Sequence, residues 1–171
     1  MSSARERCAT GCDFEWDSVE ATEVSQRVEA TSSIMASLIA TSELSRRRPQ
    51  PDTWSAVEYA GHVRDVLFNL RDRLIVAMNE DNPTCKGLYG TSRIELGLYA
   101  GDSYDVVGPE LQLASSLFAR TWNRIPEEFH SRTMVYAYPR VADRTLLWVA
   151  AQALHEVEHH CIDIQRGIAA V

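Results

Sequence analysis

The stretch from Arg144 to Gln165 contains neither Gly nor Pro, and it constrains the chain more than any other. Its apolar residues Leu146, Leu147, Trp148, Val149, Ala150, Ala153, Leu154, Val157, Ile162 and Ile164 lie almost all round a helix. A helix apolar on so many sides must be covered by others, so it belongs at the centre of the fold. Three of the chain's five histidines, His155, His159 and His160, fall within six residues of this helix. His155 and His159 are one turn apart and project from one face, so both imidazoles can reach one ion. Partly buried imidazoles need partners, and a divalent cation satisfies several at once.

The 171 residues, 45% of them apolar, suffice for one globular domain spanning 1–171 with a polar lead-in at 1–16. A net charge of −7 argues against nucleic acid as a partner. No apolar run approaches a membrane span, and Met1 to Arg7 has no hydrophobic signal core. With only four scattered cysteines, at 8, 12, 85 and 161, the expected location is the cytoplasm. Lys86 is the one lysine among seventeen basic residues, a bias that reports a GC-rich genome rather than a fold.

Within the lead-in, Cys8 and Cys12 resemble half a zinc site, but no second cysteine pair exists and the two are read as incidental. Phe14 and Trp16 are expected to pack this segment onto the body. Apolar spacing predicts a first helix over about 18–45, closed by Arg46, Arg47 and Arg48 as a solvated cap. A second helix is capped at Asp52 or Thr53 and runs to about 79, with His62 on the edge of its apolar stripe. Residues 80–108 hold Pro83 and five glycines, a long irregular connection of the kind that covers a site, with a short helix over 93–99. A third helix opens at Pro109 and ends near Ile125. His130 follows in a loop and is expected to be exposed. Residues 133–139 have β character with no evident partner strand. Asp143 is the expected cap of the last helix. Four long helices around one core predict an all-α four-helix bundle, an architecture that places metal sites between facing helices.

The string from His155 to His159 matches the HExxH pattern of zinc proteases, where the glutamate is the general base. Those enzymes need a further ligand downstream, and only twelve residues follow His159. The third ligand is therefore sought upstream. His62, on a regular helix, is preferred to His130. Two histidines from one helix and one from another leave a fourth position open, as in a catalytic site. Glu156, about 100° round from His155, is expected at the flank and not as a base.

Trp54, Ser55, Glu58 and His62 on one helix, with His155, His159, His160, Cys161, Ile162, Asp163 and Ile164 near the end, resemble the DinB-like four-helix bundles. The likeness extends to the branch containing mycothiol-dependent enzymes such as maleylpyruvate isomerase, and it covers most of 17–167. It implies three metal ligands, which fall on His62, His155 and His159. In the isomerase the first ligand of the last helix resembles a glutamate, so a frame shifted by one, Glu156 with His160, stands as the alternative. The resemblance further implies a divalent ion, zinc first and nickel second, that activates a low-molecular-weight thiol such as mycothiol. The expected chemistry is S-transfer or isomerisation on a small electrophile. Metal-dependent hydrolysis and a non-enzymatic metal-binding bundle are the competing readings, and a homodimer is compatible with all three. Arg64, Asp65, Tyr136 and Tyr138 are candidate pocket residues.

Overall fold

The computed structural model describes residues 6–41, 43–137 and 140–171. Its long helices are α1 (Val24–Ala40), α2 (Ala56–Asn79), α4 (Tyr104–Trp122) and α5 (Leu146–Ala169), with a short α3 (Gly90–Glu95) in the connection after α2. Neighbouring pairs are α1 with α4, α4 with α2, α2 with α5 and α5 with α1. The four helices therefore close a ring, with α1 and α2 diagonal. Their apolar faces meet in one core that includes Val28, Met35, Leu67, Leu74, Phe118, Leu154 and Ile164. Burying such side chains stabilises by about 1.5–3 kcal/mol each, which makes this interior the main source of stability. The all-α four-helix bundle expected from the sequence is the fold observed.

Helix boundaries follow local chemistry. The Ser55 side chain accepts from the Glu58 backbone N–H (3.2 Å) while Glu58 accepts from the Ser55 N–H (2.8 Å), a reciprocal capping box at the start of α2. Arg48 is exposed, as a solvated cap would be, and its guanidinium also donates to both oxygens of Glu58 (2.8 and 2.6 Å). The first expected helix divides into a 3-10 turn at Trp16–Ser18, α1, and a second 3-10 turn at Glu43–Arg46. The third starts at Tyr104, five residues ahead of Pro109, which the helix carries within it.

Of the stretch 133–139, residues 133–136 find the partner that the sequence did not reveal. Thr133–Tyr136 (β1) pairs antiparallel with Ala142–Thr145 (β2), Thr133 opposite Thr145 and Tyr136 opposite Ala142. Asp143 lies in β2, so the cap of α5 is Thr145, whose hydroxyl accepts from the Trp148 N–H (3.1 Å). His130 is half-buried against Trp122, with ring centroids 4.4 Å apart, and is not in an exposed loop.

The polar lead-in is a built element. Arg7 and Glu15 form an antiparallel bridge, and the Cys8 N–H donates to the Phe14 carbonyl (2.9 Å). Gly11 (φ 84) and Asp13 (φ 54) take left-handed conformations in the turn between them. Arg144 donates twice to Glu6 (2.7 and 2.8 Å), and Trp16 Nε1 donates to Gln152 of α5 (2.8 Å). Phe14 and Trp16 thus hold the segment on the body, as expected.

Candidate metal centre

The capped start of α2 delivers His62 two turns into the helix, opposite the middle of α5. There it meets Glu156 and His160. His62 Nε2 lies 3.6 Å from Glu156 Oε2, and His160 Nε2 lies 3.4 Å from the same oxygen. Two donors bound at 2.0–2.1 Å to a tetrahedral ion stand about 3.4 Å apart, so these separations suit a shared cation. One ligand atom from each of the three lies within 4.8 Å of the other two.

The expected trio of His62, His155 and His159 lines one cavity, but among the described residues its ligand atoms fall into two different clusters. Glu156 and His160 face α2, whereas His155 and His159 face the N-terminal hairpin. The cause is the angular offset between neighbouring helix positions, about 100°. Docking of Phe14 and Trp16 against His155, at ring centroids of 5.2 and 4.6 Å, fixes the rotation of α5. Glu156 accordingly points into the bundle and not to its flank.

Neighbours orient each of the three groups. Gln152 Nε2 donates to Glu156 Oε1 (2.6 Å) and is itself held by Trp16, which leaves Oε2 for the histidines. His160 Nδ1 donates to Asp163 Oδ2 (2.9 Å), so its Nε2 is free to act as a ligand. The His160 ring also stacks on Tyr59, with centroids 5.1 Å apart. His62 packs edge-on to Trp54 (5.2 Å) and closely against Gly90, where an added Cβ would stand 2.9 Å from His62 Cε1. Tyr89, left-handed at φ 57, brings Gly90 into that approach.

Burial alone would raise the Glu156 carboxyl, yet its hydrogen bonds to His160 and His62 outweigh burial and hold it well below the carboxylate range. Burial alone would lower His160, but its bonds to Asp163 and Glu156 raise it to about 9. The same field holds a proton on His160 where an ion would bind, so a cation entering this donor set displaces that proton.

The three groups open onto a cavity of about 460 Å³. Its wall includes Trp54, Val66, Leu70 and Tyr136 on the apolar side, with Arg73, Asn69 and Cys85 as polar groups. The irregular connection contributes Leu88, Tyr89 and Gly90, so that segment covers the site, as its length suggested. Arg73 is buried, donates to the Lys86 carbonyl and lies 4.9 Å from the Tyr136 ring centroid, with its Nε unpartnered.

Of the other sequence candidates, Tyr136 is in the wall. Arg64 and Asp65 instead form a brace: Arg64 pairs with Asp65, Asp102 and Glu110, and Asp65 accepts from Arg93 (2.6 Å) and Tyr99 (2.8 Å). Tyr138 falls outside the described residues. Sequence reasoning did not select Arg73 or Gly90, which carry no motif.

The family model described as the DinB superfamily matches residues 24–164. The chain belongs to the DinB superfamily. This DinB bundle resembles two solved structures. One is YfiT from Bacillus subtilis, described as a probable metal-dependent hydrolase with an unusual four-helix bundle topology. It is 12% identical, with 96% of this chain and 90% of that one covered and a TM-score of 0.79. The other is the mycothiol-dependent maleylpyruvate isomerase, 14% identical, with 91% of this chain and 63% of that one covered and a TM-score of 0.64. At such identities the likeness is one of fold. A comparison with curated proteins gives no match. Among the described residues no helix is long and apolar enough to cross a membrane.

Proposed function

We propose that this DinB protein is a divalent-metal-dependent enzyme whose ion is held by His62, Glu156 and His160. Convergence of Nε2, Oε2 and Nε2 at 3.4–3.6 Å on the floor of a closed-in cavity carries this reading. Three protein donors leave coordination positions open toward the cavity, the arrangement of a catalytic centre. When bound, such an ion supplies Lewis-acid chemistry, lowering the pKa of a thiol or of water.

The chain's own residues then do the rest. Gln152 and Trp16 keep Glu156 Oε2 aimed at the ion site, and Asp163 keeps His160 in the tautomer that presents Nε2. The apolar wall of Trp54, Leu70 and Tyr136 excludes water from a nucleophile. Buried Arg73 offers the positive charge that would orient an anionic group of a small electrophile.

The preferred chemistry is S-transfer or isomerisation with a low-molecular-weight thiol, mycothiol being the expected one, and zinc or nickel as the ion. The fold shared with the mycothiol-dependent isomerase supports it. Hydrolysis is the second reading, favoured by the broader overlap with YfiT. Metal-loaded protein incubated with a panel of small electrophiles and esters, with and without mycothiol, separates them. Turnover that requires the thiol supports transfer, turnover without it supports hydrolysis, and none in either arm refutes the enzymatic reading.

A further inference from the structure

We propose that Cys8, Cys12, His155 and His159 form a second metal site, a four-ligand centre for a thiophilic divalent cation of the zinc class. It locks the N-terminal hairpin onto α5, and it goes beyond the catalytic reading above because it shares no ligand with that site.

Four observations converge on it. One ligand atom from each of the four residues lies within 4.8 Å of the other three. Cys8 Sγ stands 3.8 Å from His159 Nδ1, and bonds of about 2.3 Å to sulfur and 2.0–2.1 Å to nitrogen would set that separation near 3.6 Å. His155 is wedged among Phe14, Trp16 and His159, and neither ring nitrogen has a hydrogen-bond partner. Buried polar atoms of that kind call for an explanation, and a metal supplies it. Finally, His159 Nε2 faces Asp163 Oδ2 at 3.4 Å, the carboxylate support expected of a histidine that ligates through its other nitrogen.

The chemistry is self-consistent. All four cysteines are free, so Cys8 and Cys12 are available as ligands. As each sulfur binds, its proton leaves to solvent, and two thiolates with two neutral imidazoles offset a 2+ charge. Such a neutral, four-coordinate centre has no open position, so its role is structural. Its position gives the role a consequence. Thr10, at the tip of the Cys8–Cys12 loop, lines the same cavity that receives His62, Glu156 and His160. Fixing that loop fixes one wall of the substrate cavity. Asp163 touches both His159 and His160, so the two centres lean on one carboxylate.

The test uses the full chain purified under reducing conditions and loaded with zinc. Metal analysis should give about two equivalents per chain, and X-ray absorption at the zinc edge should show sulfur neighbours at about 2.3 Å. The double variant Cys8→Ser/Cys12→Ser should lose one equivalent and the whole sulfur shell, and His155→Ala should lose the same equivalent. In His62→Ala the remaining zinc should be entirely sulfur- and nitrogen-bound. A wild type holding one equivalent, all of it sulfur-bound, would sink the catalytic reading and keep this one. Zinc without sulfur neighbours in the wild type overturns the proposal whether or not any variant folds, as does a Cys8–Cys12 disulfide in the zinc-loaded protein.

Discussion

Two adjacent faces of α5 carry the same residue type and meet opposite surroundings. Glu156 and His160 look across the bundle at α2 and a cavity, with three donors and room beyond them. His155 and His159 border the same cavity but turn to a hairpin that brings two sulfurs and two aromatic rings, so four donors gather there. One helix, turned by about 100°, thus presents a three-donor set that leaves a coordination position open and a four-donor set that fills a tetrahedral shell. Openness, and not the identity of the imidazoles, separates a centre suited to chemistry from one suited to architecture.

The sharpest way to break this contrast is at Glu156. Glu156→Gln removes the anion between His62 and His160 while keeping the bond from Gln152 within reach of the amide. Metal affinity at the open site should fall by more than about 100-fold, with activity, while the sulfur-bound equivalent stays. Metal titration with a chromophoric chelator reads it, and unchanged affinity would return the ligand role to the His155/His159 face. Chelating all metal should leave the helical circular-dichroism spectrum in place, because the bundle has its own apolar core.

Asp163→Asn tests whether the two faces are linked. Its carboxylate supports His159 and His160 together, so both affinities should drop, each by about 10- to 100-fold. A loss confined to one site would mean that only one of the two contacts matters.

The sequence favours the His155/His159 face of α5 over the face proposed here for a physical reason. Apolar residues surround this helix, so hydrophobic periodicity does not choose between faces separated by one residue. The choice is made by contacts 136 residues apart in sequence, such as Trp16 to Gln152. Cys8 and Cys12 read as incidental for a related reason: no second cysteine pair exists, and the groups beside them are histidines far along the chain, His159 lying 151 residues from Cys8. The bundle itself was legible because its four helices announce themselves through local spacing and caps. The β hairpin was not, since Ala142–Thr145 carries two charged residues and gains strand character only opposite Thr133–Tyr136.

Gly90→Ala probes the cavity side without touching a donor. A Cβ there would stand 2.9 Å from His62 Cε1 and 3.2 Å from Nδ1, so either the imidazole or the connection must shift. The expected cost is about 1–3 kcal/mol, divided between stability and metal affinity at the open site. The sulfur-bound equivalent should not respond. If denaturant midpoint and affinity are both unchanged, the connection is soft enough to move and does not hold His62 in place.

The smallest effect is expected from Ser55→Ala, which separates the stability of α2 from the chemistry it carries. Ser55 is buried and accepts from the Glu58 N–H, while Glu58 closes the reciprocal bond and is held by Arg48. Losing the hydroxyl leaves one backbone donor without its cap, at a cost of about 1 kcal/mol. The Glu58 contact to the Ser55 backbone survives the substitution, so the helix should still begin at the same residue. His62 lies two turns further on and is positioned by Trp54, Gly90 and the facing residues of α5. A lower denaturant midpoint with full metal occupancy is therefore the expected result, read by urea unfolding and metal analysis on the same sample. Loss of metal in parallel with stability would mean that the register of α2, set at its first turn, is what aims His62 at Glu156.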